Sequence, residues 1–242
     1  MERSVYEQMA QLDERHWWYR GRREVLAALI RRVANPPPNS RVLEIGCGTG
    51  HNLSMLGEFG RVDALELDEE ARAFAEKRLG RSVMSAPLPE IAGVPDSHYD
   101  LIGAFDVIEH IEHDEAAGAT IASKLKPGGT FVMTVPAHQW MWSAHDVVNH
   151  HKRRYSKRQL RKLIQKSPLR LEKLGYFNSL VFPLAVAERM SSKLRGKDDA
   201  DIKLPSAPLN NALERVFAAE RHLIGRVPLG AGLSLFAVAS AL

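Results

Sequence analysis

Between Val42 and Gly50 the chain reads Val42-Leu43-Glu44-Ile45-Gly46-Cys47-Gly48-Thr49-Gly50, a short apolar run followed by glycine at every second position. No other stretch limits the possible folds as tightly. An apolar run of this length that ends in glycine reads as a buried strand. Alternate glycines allow a tight turn and let the backbone come close to a ligand. Residues 50–59 read as the helix that follows. Strand, glycine loop and helix together open an α/β sheet, where ligands bind outside the carboxyl ends of the strands.

The rest of the chain keeps that grain. Val62–Leu67 reads as a second strand. Asp68 is placed to cap a helix with Ala71, Phe74, Ala75 and Leu79 on one face, and Gly80 ends it. Arg81–Ser85 reads as a third strand and Tyr99–Phe105 as a fourth. A helix to Leu125, a Lys126-Pro127-Gly128-Gly129 turn and a fifth strand, Thr130–Val135, follow. Ser156 and Gln159 make a capping box before a helix with Leu160, Leu163 and Ile164 as its apolar face. Residues 170–177 and the alternation at Leu233, Leu235 and Ala237 bring the strands to seven. The expected fold is α/β: a doubly wound, mostly parallel seven-stranded sheet, Rossmann-like, with N-terminal helices and a late helical insertion.

Residues 4–34 read as helical until Pro36-Pro37-Pro38 stops them. The expected division is therefore an N-terminal helical cover over 1–38 and one domain over 39–242, with the insertion at about 180–228. Inside that insertion 188–208 reads as a linker. Leu209, Leu213, Val216, Phe217 and Leu223 outline an amphipathic helix.

Of the 242 residues, 45% are hydrophobic and 26% charged, which excludes disorder as the dominant state. The single cysteine, Cys47, excludes an internal disulfide and a multi-cysteine zinc site, and it points to a reducing, cytoplasmic setting. No apolar run reaches the roughly 20 residues of a spanning helix. Charge is concentrated. From His150 to Lys173 ten Lys/Arg face one acid, Glu172, while the whole chain is only +4. The plain reading is a solvated helix face. The alternative is peripheral contact with an anionic membrane. Only Tyr155 interleaves with these cations, so nucleic acid is not an expected partner.

The glycine spacing narrows the ligand. A dinucleotide loop wants G-x-G-x-x-G. Here that register runs Gly46-x-Gly48-x-x-His51, without the third glycine. Glu66, at the end of the second strand, suits the two ribose hydroxyls of an adenosine. The pattern that is present is Glu44-x-Gly46-x-Gly48-x-Gly50. Downstream stand Tyr99-Asp100-Leu101-Ile102, Phe105-Asp106-Val107-Ile108-Glu109-His110-Ile111 and Leu125-Lys126-Pro127-Gly128-Gly129-Thr130. In this order and spacing, over 40–136, they resemble the class I S-adenosylmethionine (SAM) dependent methyltransferases. His16–Arg23 resembles the leader helix of a bacterial subgroup. Asp106-x-x-Glu109-His110 is similar to an element of the ubiquinone-pathway O-methyltransferases, where it is linked to divalent metal. The same residues are common in relatives without metal, and no metal site is expected here.

The resemblance implies SAM as cofactor and a role for each position. Gly46, Gly48 and Gly50 would line its methionyl part, with Glu44 near the ammonium. Glu66 would hold the ribose and Leu67 would lie against the adenine. Ser85 and Ala86 would edge the adenine, and Phe105 and Asp106 would flank the sulfonium side. Arg20, Arg22 or Arg23 would reach the carboxylate. Methyl transfer is an in-line displacement that needs a base only when the acceptor is protonated. His110 is the expected base, with His145 and Asp146 behind it. Trp140–Asp146, after the fifth strand, would edge the acceptor pocket. The expected activity is methyl transfer from SAM to a small-molecule acceptor. The alternatives are an O-methyltransferase of a quinone-like lipid at the membrane surface, a nucleic-acid methyltransferase, and a SAM-binding protein without turnover.

Overall fold

The computed structural model describes residues 3–195 and 204–242. Six strands form one sheet: β1 (Ser40–Ile45), β2 (Gly60–Leu65), β3 (Tyr99–Phe105), β4 (Leu125–Pro136), β5 (Leu169–Phe177) and β6 (Ser234–Ala241), in the order β2-β1-β3-β4-β6-β5. β1 pairs in parallel with β2 and β3, and β3 with β4; β6 is antiparallel to both of its neighbours. The chain leaves β1 toward β2 and returns on its other side as β3. The order therefore reverses at β1/β3, and a crevice opens at the carboxyl ends of those strands.

Strand residues face two layers in turn because successive side chains point to opposite faces. Leu43, Ile102, Phe131 and Met133 meet Ile121 of α5 (Asp114–Lys124) and Leu160, Leu163 and Ile164 of α7 (Lys157–Gln165). Val42, Leu101, Val132 and Val238 meet Val25, Leu26 and Leu29 of α2 (Trp17–Leu29), Leu56 of α3 (Leu53–Gly57) and Phe217 of α9 (Ala207–Ala218). Leu160 is fully buried, which is worth about 2 kcal/mol. The Ser156–Gln159 capping box starts α7 as its sequence predicts. Asp68 caps α4 (Glu69–Leu79) by accepting from Ala71 N at 2.9 Å, a contribution of about 1 kcal/mol.

The seventh strand does not form among the described residues. Of 81–85 only Met84 bridges to Leu65. Its N–H donates to Ala64 O and its carbonyl accepts from Glu66 N. Pro87 and Pro89 follow and have no N–H to extend the ladder. The expected single helix over 4–34 is broken. α1 (Arg3–Leu12) ends before a turn at 13–16, and His16 then caps α2, its ring accepting from Trp18 N. A π-turn, Ile30–Ala34, closes that helix. The helix expected over 50–59 shrinks to α3, and α6 (Ala144–Val148) is equally short. The Lys126–Gly129 turn lies inside β4 as a bulge, with Tyr99 opposite Leu125 and Leu101 opposite Thr130.

The insertion also departs from expectation. α8 (Phe182–Arg195) runs through 188–195, where a linker was expected, and 196–203 lie outside the described residues. On α9 the buried residues are Asn210, Phe217 and Ala218, while Leu209 and Val216 are exposed. The polar Asn210 turns inward because it bridges the N-terminal turn: its Oδ1 accepts from Trp17 N and its Nδ2 donates to Arg15 O, both at 2.9 Å. Among the described residues no helix is long and apolar enough to cross a membrane.

Candidate active site

At the carboxyl end of β1 the loop turns on Gly46, φ +67°, and Gly48, φ +54°. A Cβ on Gly46 would sit 2.7 Å from Val107 Cγ2. Glu66 follows directly after β2 and fixes this loop. Its Oε2 accepts from Gly48 N at 2.7 Å and its Oε1 from Asp68 N at 2.9 Å. Burial pushes the Glu66 pKa up, and the bonds from Asp68 and Gly48 pull against that.

The loop floors a cavity of about 810 Å³. Of the residues expected from the sequence, Gly46, Gly48, Glu66, Leu67, Ala86, Phe105, Asp106 and His110 line it. Three do not. Ser85 points out to solvent. Gly50, φ +83°, lets the loop run against α4; a Cβ there would meet Ala75 Cα at 2.9 Å. Glu44 lies behind the loop, 1% exposed, and accepts from Asn52 Nδ2 at 2.8 Å. Its desolvation pushes its pKa up to about 8. Cys47 is buried, and desolvation drives its thiol well above the usual range, which leaves it inert.

The N-terminal helices roof the cavity with Tyr6, Met9, Trp17, Trp18 and Tyr19. Of the three arginines in α2 only Arg22 enters. Its Nη2 donates to Thr134 Oγ1 and pairs with Asp106 Oδ2, each at 2.7 Å, and the guanidinium lies 4.8 Å over the Trp18 ring. Its buried Nε has no partner among the described residues. Arg20 instead pairs with Glu214, and Arg23 donates to Asp13 O.

On the far side the loops after β3 and β4 meet. Glu109 and His110 stand on a 3₁₀ turn, Ile108–His110. His145, Asn149, His151 and Arg154 line the opposite wall. Asp146 is fully buried and holds that wall: His151 Nδ1 lies 2.9 Å from its Oδ1, and Arg154 donates to both carboxylate oxygens at 2.8 and 2.9 Å. The His151 and Arg154 contacts hold the Asp146 pKa low despite its burial. Burial lowers the His110 pKa to about 4. Trp140 is exposed and Met141 belongs to the core, so of the 140–146 stretch only His145 reaches the cavity. Glu109, His110 and His151 offer ligand atoms within 4.8 Å of one another. His151 and Arg154 lie within the basic run, where nothing in the local sequence sets them apart from its solvated cations.

A family profile described as "Methyltransferase domain" matches residues 17–174. A Mycolicibacterium smegmatis protein named "Probable S-adenosylmethionine-dependent methyltransferase" is 32% identical over 127 residues, 52% of this chain and 48% of its own length. A Bordetella avium ubiquinone biosynthesis O-methyltransferase is 26% identical over 106 residues, 41% of this chain and 44% of its own. The chain thus spans about half the length of these curated relatives. Among solved structures, Haemonchus contortus phosphoethanolamine N-methyltransferase 2 in complex with SAM superposes with a TM-score of 0.59 and 17% identity, covering 88% of this chain and 51% of that one.

Proposed function

Because the chain belongs to the methyltransferase-domain family, we propose that it binds SAM in the 810 Å³ cavity and transfers its methyl group to a small-molecule acceptor. The observation that carries this reading is Glu66, fastened to the glycine loop through Gly48 N at 2.7 Å while facing the cavity. A carboxylate oxygen that already accepts one bond can accept another, so Glu66 suits the paired hydroxyls of a ribose. Arg22, with a buried unpartnered Nε, suits the amino-acid carboxylate. Leu67 and Ala86 flank the adenine side, and Phe105 and Asp106 the reacting side. Gly50 and Glu44 hold the loop from behind, and Ser85 stays at the outer edge.

SAM supplies an electrophilic methyl on a positively charged sulfur. The chain's own residues then have to hold the acceptor in line and keep water out, and positioning of this kind can account for much of the rate. The N-terminal helices cover one side of the cavity with apolar and aromatic side chains. His110, kept neutral by burial, presents a lone pair on the acceptor side. A concave site roofed by aromatic side chains suits a small, partly apolar acceptor.

A second reading places a quinone-like lipid in this cavity, with the protein at a membrane surface. Exposed Leu180, Leu184 and Met190, in and just before α8, together with the basic α7, favour it. Binding to anionic liposomes that falls with added salt is its expected signature, and indifference to liposomes removes it.

Thermal-shift titration with SAM, S-adenosylhomocysteine and NADH tests the cofactor. Ligand at about 100 times its dissociation constant stabilises a fold by roughly 2.7 kcal/mol. A shift with the first two that is lost in Glu66→Ala is the expected result. A shift with NADH alone would overturn the assignment.

A further inference from the structure

We propose that Glu109, His110 and His151 bind a first-row divalent cation of the Zn²⁺ or Fe²⁺ kind on the acceptor side of the cavity. Glu109 is the anomaly that leads there. It is 0% exposed, and neither carboxylate oxygen has a hydrogen-bond partner among the described residues. A buried carboxylate left in this state carries the full cost of its lost hydration. The nearby arginines do not relieve it, because Arg22 is committed to Asp106 and Arg154 to Asp146. The groups that do face it are imidazoles. His151 Nε2 lies 4.0 Å from Glu109 Oε1, and the His110 ring stands edge-on to that of His151 with centroids 4.8 Å apart.

The shell behind these three donors is built as metal sites are built. His151 is held through Nδ1 by Asp146, so its Nε2 carries the lone pair. Asp146 is in turn clamped by Arg154. Lys152 N donates to Glu109 O at 2.9 Å, tying the two contributing loops together. This is not the Asp106-x-x-Glu109-His110 set of the ubiquinone-pathway resemblance. Asp106 is held by Arg22 and Thr134 instead, and the third donor comes from His151, some forty residues further along the sequence. The inference also replaces the sequence-based expectation of no metal.

One carboxylate and two imidazoles select borderline cations. Mg²⁺ and Ca²⁺ prefer all-oxygen shells. Three protein ligands leave open positions, and these face the cavity that all three residues line. Resting on the proposed function, a hydroxyl of the acceptor would take such a position and give its proton to water in the cavity more readily there, with His110 serving as a ligand and not as the base.

The test uses the full, untagged chain, stripped with a chelator and dialysed. Calorimetric titration with Zn²⁺ should show one equivalent bound, lost in Glu109→Gln and in His151→Gln and weakened about 10–100-fold in Asp146→Asn. Mg²⁺ should bind far more weakly. Co²⁺ added to the unmodified chain should give the visible absorption of a low-coordinate nitrogen–oxygen site, a readout that needs no variant to fold. Zn²⁺ binding unchanged in both variants, Mg²⁺ binding as tightly as Zn²⁺, or Co²⁺ that stays hexa-aquo in its spectrum would each overturn the site. The SAM thermal shift, run in parallel on metal-free protein, separates the two readings. A shift without metal binding leaves the cofactor assignment standing and removes the metal site, and metal binding without a shift does the reverse.

Discussion

The guanidinium of Arg22, from the second helix, lies 2.7 Å from the carboxylate of Asp106, at the end of β3. The bond crosses from the N-terminal roof to the sheet, and Thr134 of β4 joins it through both partners. Arg22 is 3% exposed and Asp106 27%. Removing the arginine leaves a mostly buried carboxylate without its partner. We expect Arg22→Ala to cost about 3 kcal/mol, the lower end for a broken buried pair because Asp106 keeps some water. For a domain of this size that is a loss of about 10 °C in melting temperature. Calorimetry on the purified variant checks it. A change under about 1 kcal/mol would mean that the roof holds by apolar contact alone.

Gly50 gives a second prediction. Its φ of +83° and the Ala75 Cα only 2.9 Å from a built Cβ leave no room for alanine. Gly50→Ala should destabilise by about 2 kcal/mol through strain and displacement of α4. Denaturant unfolding reads this directly. SAM affinity should fall less than in Glu66→Ala, because Gly50 does not face the cavity.

Glu44 sets a pH dependence. Its folded pKa is raised by burial to about 8, against a reference of 4.5. Between those values the unfolded chain ionises this group and the folded chain does not. The folded state then binds the extra proton, and stability falls as pH rises through this window. Glu44→Gln removes the titration and keeps an acceptor for Asn52. Its stability should fall less than that of the parent chain between pH 5 and 8, as read from denaturant midpoints. Parallel curves for the two proteins would show that Glu44 is ionised in the fold.

Glu220 has the opposite kind of burial. It is 0% exposed, and its carboxylate accepts the N–H groups of Asn178, Ser179 and Leu180 at 2.7, 2.5 and 2.7 Å. These fix the turn between β5 and α8, and Asn178 lines the cavity. Glu220→Ala should cost about 3 kcal/mol by leaving buried donors unpaired. Hydrogen exchange should accelerate at 178–180 before the sheet is affected.

The order of elements from β1 to β4 was legible in the sequence because each apolar run was punctuated by a cap or a glycine: Gly46, Asp68, Gly80, and Gly128-Gly129. Glu66 and the glycine loop were legible for the same local reason. What the sequence concealed was long-range pairing. Met84 looked like part of a strand, yet only its partner's position and the prolines after it decide how far the ladder runs. Asn210 stands outside the apolar set expected to face inward on α9, and its burial depends on Trp17, almost two hundred residues earlier. His151 sat within a basic run that read as a solvated face. Its role comes from Asp146 and Glu109, which no local periodicity connects to it.

β6 lies between β4 and β5, although it follows both in the chain. A ribosome therefore delivers β4 and β5 well before the strand that joins them. Until residues 234–241 arrive, each presents an open apolar edge and has no neighbour on that side. The molecule is thus vulnerable to aggregation late in its synthesis, and a chaperone would find its binding surface there. Premature termination anywhere in the insertion would strand β5 together with its basic helix, and the loss would be a third of the sheet.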